Sequence, residues 1–298
     1  MLALTTRVLP EFTLAIPGTL EEAVSFLAQH RDEASIIAGG TDLLIQMKRR
    51  IRKERFLVHI KKISGLNHIQ YDDKNRILKI GALTTINQIE KSPLIRDKFP
   101  LLWEAAQDFG SVQIRNLATL GGNLCNASPA ADMAPPLLVL DGKVKIVSSK
   151  GEKIIPLEQF FIGPGKTILE HDDILTEVLV EEPPPRTGTV FLKLAKVKND
   201  SAKINLALKL TLGENDVCKN LGIALGAVAP TPIRVRKAEK KLINKKVCEE
   251  SIKKIADISA REISPSARER HSTVEYRKEV SKVLVKRGIK TCLRRIKQ

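Results

Sequence analysis

The chain has 298 residues, 43% of them hydrophobic, with a formal net charge of +16. A chain of this length and apolar content can bury substantial cores and divide into two or three compact units, so we expect a globular protein. No segment approaches 18 uninterrupted apolar residues, and the N-terminal stretch lacks a long apolar run, which excludes a membrane span and predicts a cytoplasmic protein.

The positive charge is concentrated towards the C-terminus. Residues 231–298 hold 21 Lys and Arg against 8 Asp and Glu. Such an excess is compatible with nucleic-acid binding. However, this stretch has one aromatic residue, Tyr276, and its basic and acidic residues alternate at helical spacing. We therefore favour a solvated helix face or an acidic protein partner, and we predict no nucleic-acid ligand.

The cysteines and histidines do not have the spacing of metal ligands. The four cysteines, Cys125, Cys218, Cys248 and Cys292, are far apart and include no C-x-x-C pair. This argues against a zinc ribbon and against an iron–sulfur cluster ligated by this chain alone, so we predict no metal site.

The first predicted unit is βαβ-like. Thr19 and Glu22 have the spacing of a capping box, which predicts a helix beginning at Leu20. After this helix, the pattern predicts a buried strand in "ASIIA" and a turn in "GGTD". A short helix in "LLIQMKRR" and a second strand in "RFLVHIKKI" are predicted to follow.

The second predicted unit begins with a hairpin and contains several helices. Two strands flank the polar turn "DDKN", and Thr85 with Gln88 forms another capping box. A helix is predicted over "PLLWEAAQDFG", and another over "DMAPPLLVLD" with Asp132 as its N-cap. A hairpin over "KVKIVSSKGEKIIPL" follows.

A proline-rich segment, "EEPPPRTG" at 181–188, predicts a linker because three consecutive prolines cannot join a helix or a central strand. We therefore expect one domain over 1–180, with subdomains of about 1–60 and 61–180, and a second domain over 186–298. In the second domain, three strands are followed by helices from about Arg236, Glu249 and Thr273, which indicates a sheet with helices on one face.

Two glycine pairs suggest a common chemistry. They lie in "IIAGGTDLL", 36–44, and in "ATLGGNLCNASPAAD", 118–132. Because glycine has no Cβ, successive backbone N–H groups there could converge on an anion, and the two turns together could hold one pyrophosphate. Each pair could also be only a tight turn. Asp132 could accept a hydrogen bond from a ribose or adenine, serve as the helix cap, or do both.

Other functional motifs fail on inspection. Neither glycine pair satisfies G-x-G-x-x-G, and "GPGKT" at 163–167 has Phe160 where a P-loop requires glycine. There is no G-x-S-x-G nucleophile elbow. We therefore predict no catalytic acid, base or nucleophile on this chain.

Both glycine segments carry a resemblance to a known family. "AGGTDLL" together with "TLGGNLCNASPAADMAPPLLVLDG" closely resembles the FAD-binding medium subunits of the molybdenum hydroxylases, the group that contains carbon monoxide dehydrogenase and xanthine dehydrogenase. The resemblance continues through "FFIGPGKTILEHDDILTEV" into the C-terminal region and covers nearly the whole chain. It implies an α+β fold: a vanillyl-alcohol-oxidase-type FAD-binding domain of two α/β subdomains, then a C-terminal three-stranded sheet with helices, of the carbon monoxide dehydrogenase flavoprotein type.

The resemblance also implies which residues contact FAD. The first segment would surround the pyrophosphate with backbone amides, and its residues are Ile36, Ile37, Ala38, Gly39, Gly40, Thr41, Asp42, Leu43 and Leu44. The second phosphate loop would use Ala118, Thr119, Gly122 and Asn123. Asp132 matches a cofactor-contacting acid, Lys193 a basic residue near the isoalloxazine, and the apolar neighbours would be Phe109, Ile174 and Leu175. A buried strand would equally account for Ile174 and Leu175, and a solvated strand for Lys193.

The function implied by the resemblance is electron transfer. In such complexes a large subunit carries a molybdopterin centre, a small subunit carries iron–sulfur clusters, and electrons reach FAD on the medium subunit before passing to an external acceptor. FAD exchanges one electron or two, while the protein sets its position and access. The alternatives are a self-sufficient flavoprotein oxidoreductase on the same fold and a basic nucleic-acid-binding protein.

Overall fold

The computed structural model describes residues 8–266 and 272–298. The first residues of the N-terminal stretch used above to predict location therefore lie outside the described residues. Within the described ranges, no helix is both long enough and apolar enough to cross a membrane.

A small parallel sheet forms the first unit. Its strand order is β1-β3-β2, with strands β1 (Thr13–Ala15), β2 (Ala34–Ile37) and β3 (Phe56–His59). Between them lie helices α1 (Leu20–His30) and α2 (Leu43–Lys48). Thr19 caps α1 by accepting a hydrogen bond from the Glu22 N–H, whereas the Glu22 carboxylate accepts from Gly18. The βαβ expectation agrees with this unit, although the short strand β1 was not predicted.

An antiparallel sheet forms the second unit, with strand order β4-β5-β10-β6-β7. The strands are β4 (Ile69–Asp72), β5 (Ile77–Gly81), β6 (Lys143–Ser148), β7 (Gly151–Pro156) and β10 (Ile174–Glu181). Between β5 and β6 the chain forms α3 (Ile86–Lys91), α4 (Pro93–Lys98), α5 (Pro100–Gln107), α6 (Val112–Leu117), α7 (Leu120–Cys125) and α8 (Ala134–Val139). A two-stranded ribbon, β8 (Phe161–Gly163) with β9 (Lys166–Thr167), precedes β10.

The C-terminal unit, in its described residues, is an antiparallel sheet with three helices. The strands are β11 (Thr187–Leu194), β12 (Ile204–Leu212), β13 (Cys218–Gly226) and β14 (Ile233–Arg234), and the helices are α9 (Arg236–Leu242), α10 (Glu249–Glu262) and α11 (Val274–Lys297). The three predicted strands are present, and β14 adds two residues at the edge. Phe191, Ala207 and Ala224 of this sheet join the apolar core of the second unit, so the two sheets share a packed boundary.

Two local predictions are wrong. The second glycine pair is not a turn, because Gly121 and Gly122 lie in the first turn of α7, which Thr119 caps. Asp132 does not cap α8, whose N-cap is Met133 without a side-chain cap. The Asp132 carboxylate instead accepts hydrogen bonds from Lys193 and Asn205 of the C-terminal sheet.

Candidate cofactor-binding site

A cavity of about 870 Å³ is lined by residues of both glycine segments. Its walls come from the β2–α2 loop, the start of α7, the β8–β9 ribbon and the start of β10. Most of the predicted site residues line it, namely Ile36, Ala38, Gly39, Gly40, Thr41, Asp42, Leu43, Phe109, Ala118, Thr119, Gly122, Asn123, Ile174 and Leu175. The fold thus brings segments that are some 80 residues apart in the chain to one site.

The first segment presents free backbone donors to this cavity. Among the described residues, none accepts a hydrogen bond from the backbone N–H of Gly39, Gly40 or Thr41. Gly40 has a φ of 70°, in the left-handed region that favours glycine. Successive unpaired N–H groups around a left-handed residue form a concave anion-binding site. A Cβ on Gly39 would clash with the Leu117 carbonyl, so that glycine allows the two segments to touch.

In the second segment the backbone donors are already used. The N–H groups of Leu120 and Gly121 donate to the carbonyls of Thr84 and Ala82, both at 2.9 Å. Those of Gly122 and Asn123 donate to the Thr119 side chain and carbonyl, at 3.1 and 2.9 Å. The expectation of two equivalent amide turns is therefore not met.

What the second segment can offer is side chains. The Thr119 hydroxyl accepts from Gly122, which leaves its own hydrogen free to donate. The Asn123 Oδ1 atom is buried without a hydrogen-bond partner in the described part of the chain. Both residues line the cavity, so a ligand there would meet a hydroxyl and an amide rather than a row of backbone N–H groups.

Four predicted residues do not line the cavity: Ile37, Leu44, Asp132 and Lys193. Lys193 Nζ donates to the Asp132 carboxylate at 2.6 Å and to the Asp108 carbonyl at 2.9 Å. Burial raises the pKa of Asp132, and the Lys193 charge opposes that effect. This buried network links Asp108, the residue before Phe109, to the C-terminal sheet. It therefore supports the part of the cavity wall that Phe109 forms. Direct contact of Asp132 or Lys193 with a cofactor stays a prediction.

Several cavity residues were missed from the sequence. Among the lining residues, the Arg52 guanidinium binds the Glu54 carboxylate and the Ser35 hydroxyl. On the ribbon, Gly165 has a φ of 67° and donates its N–H to the Ala127 carbonyl at 3.0 Å. Lys166, beside it, lines the cavity and has no carboxylate partner in the described ranges. The sequence did contain a signal for Gly165 and Lys166, because "GPGKT" lies within the segment that carries the family resemblance.

Two titratable groups that line the cavity have raised pKa values. Asp42 lies on the first segment and is largely exposed, and partial desolvation of its carboxyl raises its pKa. Cys125 also lines the cavity, and burial raises the pKa of its thiol to about 12, so the sulfur stays neutral.

These residues fit a flavin dinucleotide. A diphosphate needs several hydrogen-bond donors, and the cavity offers the free N–H groups of Gly39, Gly40 and Thr41, the Thr119 hydroxyl and Lys166. Ring systems need apolar walls, which are provided by Leu27, Ile36, Phe109, Ile174 and Leu175. The volume lies in the range of small-molecule sites, about 300–1,000 Å³. Fold and cavity together define a nucleotide-binding protein of the flavoprotein class.

Comparison with known proteins specifies the family. Residues 10–183 match the family described as FAD binding domain in molybdopterin dehydrogenase, and residues 190–292 match the CO dehydrogenase flavoprotein C-terminal domain. The nicotinate dehydrogenase FAD-subunit of Eubacterium barkeri is 35% identical over 90% of this chain and 92% of its own length. The xanthine dehydrogenase FAD-binding subunit of Escherichia coli O157:H7 is 33% identical over 91% and 92%.

A solved structure agrees over nearly the whole fold. It is the carbon monoxide dehydrogenase of Hydrogenophaga pseudoflava that lacks the Mo-pyranopterin moiety of its molybdenum cofactor. The matched chain has a TM-score of 0.93 and 28% identity, covering 97% of this chain and 99% of its own. The present chain belongs to the family of FAD-binding domains in molybdopterin dehydrogenases. The predicted resemblance, fold class, FAD cofactor and assignment as an oxidoreductase subunit are confirmed.

Proposed function

We propose that this chain is the FAD-carrying electron-transfer subunit of a heteromeric molybdenum hydroxylase. It would receive electrons from iron–sulfur clusters on a small partner subunit and pass them to an external acceptor, while a large molybdopterin subunit oxidises the substrate. The observation that carries the proposal is the cavity in which free backbone donors, two polar side chains and apolar walls suit FAD. Its relatives are named as FAD subunits or medium chains of dehydrogenases, which supports a multi-chain assembly. The predicted cytoplasmic location belongs to this proposal.

The residues of this chain would bind, orient and shield the cofactor. The N–H groups of Gly39, Gly40 and Thr41 would hold the diphosphate, with the Thr119 hydroxyl and the Lys166 amine as further donors, and the Asn123 Oδ1 atom would accept a hydrogen bond from the cofactor. FAD, when bound, supplies the redox chemistry. The Lys193–Asp132 ion pair would keep the wall at Phe109 rigid, because both charges are buried and each is hydrogen-bonded. No group of this chain needs to act as an acid, base or nucleophile.

The cofactor would be held noncovalently. Attachment through sulfur requires a thiolate, and Cys125, which lines the cavity, remains a thiol because of its raised pKa. Acid precipitation of the purified chain should therefore release yellow flavin into the supernatant. Colour that stays in the pellet would contradict noncovalent binding.

The function is tested by purifying the assembly through a tag on this chain from its own source. We expect iron, molybdenum and FAD in the purified complex, and dye reduction with a substrate of the kinds named for its relatives, such as nicotinate, xanthine or glyceraldehyde. The same complex with Gly40→Val in this chain should keep iron and molybdenum but lose FAD and electron transfer to the external acceptor.

Three outcomes would contradict the proposal. A chain that purifies without iron or molybdenum, yet turns over a substrate with FAD alone, would instead be a self-sufficient flavoprotein oxidoreductase. A chain that takes up no FAD at saturating cofactor would refute the site itself. Tight duplex DNA binding that weakens steeply with salt would favour the nucleic-acid alternative.

A further inference from the structure

A buried carboxylate in the cavity wall has one oxygen without a hydrogen-bond partner. Glu54, which lines the cavity two residues before β3, is 9% exposed. Its Oε1 atom accepts hydrogen bonds from the Arg52 guanidinium and, at 3.3 Å, from the Ser35 hydroxyl. Its Oε2 atom is buried and has no partner among the described residues. An unpaired buried polar atom destabilises a folded chain, so its presence points to a partner that another molecule supplies.

The free oxygen of Glu54 is available to a molecule bound in the cavity. Arg52 forms an ion pair with Glu54 and also donates to the Ser35 hydroxyl at 2.5 Å. The terminal torsion of a glutamate side chain is broad, so a modest rotation can aim one oxygen at a ligand while the other stays with Arg52. Ser35, Arg52 and Glu54, called here the polar trio, all line the cavity.

An apolar corner of the cavity adjoins the polar trio. Ser35 is flanked on β2 by Ala34 and Ile36, which also line the cavity. Ile36 belongs to the same apolar cluster as the buried residues Leu27 and Ile60, and both of these line the cavity. The apolar corner consists of Leu27, Ile36 and Ile60. A small-molecule site combines apolar walls with a few polar groups that fix orientation, so this part of the cavity suits a planar base attached to a sugar.

The polar trio lies at about the distance of one nucleoside from the free backbone donors of the first glycine segment. Ser35 is four residues before Gly39, and β2 continues to Ile37. At a strand rise of about 3.3 Å per residue, the two positions are about 10–13 Å apart along the chain. A nucleoside attached to a diphosphate has a comparable length. A diphosphate held at Gly39, Gly40 and Thr41 therefore allows the attached nucleoside to reach the polar trio.

The charge of Glu54 decides which part of a flavin dinucleotide suits it. A carboxylate accepts hydrogen bonds and has no proton to donate, so it repels the diphosphate. Beside the isoalloxazine it would oppose the uptake of electrons, because the reduced ring carries negative charge. The adenosine half is uncharged and offers two ribose hydroxyls and the adenine amine as donors.

We propose that Glu54 binds the adenosine half of the cofactor and thereby selects the dinucleotide FAD over the mononucleotide FMN. Its free carboxylate oxygen accepts a hydrogen bond from a ribose hydroxyl or from the adenine amine, and the apolar corner receives the base. The inference rests on the proposed function and adds a residue that lies outside both glycine segments. It also makes the cofactor-free chain a binder of ADP, because ADP has the same diphosphate and adenosine.

Binding of FAD, ADP and FMN to the cofactor-free chain tests this assignment. We expect Glu54→Gln to raise the Kd for FAD and for ADP by about tenfold each, because the amide oxygen stays with Arg52 and the NH2 group meets the ligand's donor. FAD binding is followed by flavin fluorescence, and ADP binding by competition with FAD. FMN should bind equally to both chains. Failure of ADP to compete, or an unchanged Kd for ADP with weaker FMN binding, would overturn the proposal.

Analogues of ADP separate a direct contact from a supporting role in the wall. IDP lacks the adenine amine, whereas 2′-deoxy-ADP and 3′-deoxy-ADP each lack one ribose hydroxyl. The tenfold loss caused by Glu54→Gln should shrink for at least one analogue, namely the one that lacks the donor bonded to Glu54. An equal loss for ADP and all three analogues would show that Glu54 only supports the wall, and it would overturn the proposal.

Glu33→Gln is the matched control. It makes the same chemical change at an exposed carboxylate that lies 3.9 Å from Arg55 and does not line the cavity. We expect normal binding of FAD and ADP, and a loss equal to that of Glu54→Gln would overturn the proposal. Equal FAD affinity of the unchanged chain and Glu54→Gln would refute only this inference. Failure of both chains to take up FAD would instead refute the proposed function.

Discussion

The two glycine pairs have the same dipeptide but different structures. At Gly39 and Gly40 the chain leaves a parallel strand, turns through a left-handed residue and exposes N–H groups with no partner among the described residues. At Gly121 and Gly122 the chain begins a helix, and each N–H is bonded within the protein. The first pair is therefore suited to bind an anion directly, whereas the second builds a platform for the side chains of Thr119 and Asn123.

The difference shows that glycine can serve close packing as well as ligand approach. A Cβ on Gly121 would lie 2.7 Å from the Ala82 Cβ, so this glycine allows α7 to pack on the end of β5. Gly122 does not have a left-handed φ, and its Cβ would meet the Thr119 hydroxyl oxygen at 2.8 Å. Of the four glycines in the two pairs, only Gly40 combines a cavity position with a φ that disfavours other residues.

The largest effect is expected for Gly40→Val. A branched side chain at a φ of 70° is strained by about 1–3 kcal/mol. The loop would relax and withdraw its N–H groups, so we expect the Kd for FAD to rise at least about 30-fold. Flavin fluorescence titration measures this Kd, and circular dichroism should show that the fold of the variant is intact. Gly18→Ala is the control and should bind normally, because Gly18 does not line the cavity and a Cβ there would only make ordinary contact, at 3.6 Å, with the Glu22 carboxylate. Normal FAD binding by Gly40→Val would remove the first pair from the site.

Thr119→Val tests the second pair with nearly the same side-chain shape. The change removes the cap on Gly122 N–H and the donor facing the cavity, so we expect a loss of about 1–2 kcal/mol in the free energy of unfolding. We also expect about tenfold weaker FAD binding, because a hydroxyl donor is lost. Thr85→Val, which disrupts a capping box whose residues do not line the cavity, should reduce stability alone. Equal FAD affinity in the two variants would mean that Thr119 is only a cap.

A smaller, pH-dependent effect is expected at Asp42. Partial desolvation raises the pKa of this carboxyl, and a bound diphosphate would raise it further, so binding favours the protonated form. FAD affinity should therefore fall as pH rises through the pKa of Asp42 and should level off once the carboxylate is fully ionised. Asp42→Asn should remove this dependence and bind up to about tenfold tighter at pH 8. Affinities that follow the same pH curve in both chains would show that Asp42 lies away from the diphosphate.

How far the sequence predicted the molecule depends on whether the determinants are local. The Thr85–Gln88 box forms as expected, because both of its hydrogen bonds join residues three apart. Helix α6 was missed although Ser111 caps it, so a local signal was present and overlooked. Asp132 was wrongly predicted to cap a helix. Its actual hydrogen-bond partners, Lys193 and Asn205, lie 61 and 73 residues further along the chain. No local pattern reveals such a network.

The central claim is that the second glycine segment binds the cofactor through side chains rather than backbone. Asn123→Ala tests it most directly, because the Asn123 Oδ1 atom is buried without a partner and its removal should not lower stability. FAD titration and urea unfolding of the cofactor-free chain are measured together. The account predicts about a fivefold rise in Kd with an unfolding free energy unchanged within about 0.5 kcal/mol. An unchanged Kd, or a loss of stability large enough to explain the weaker binding, would contradict it.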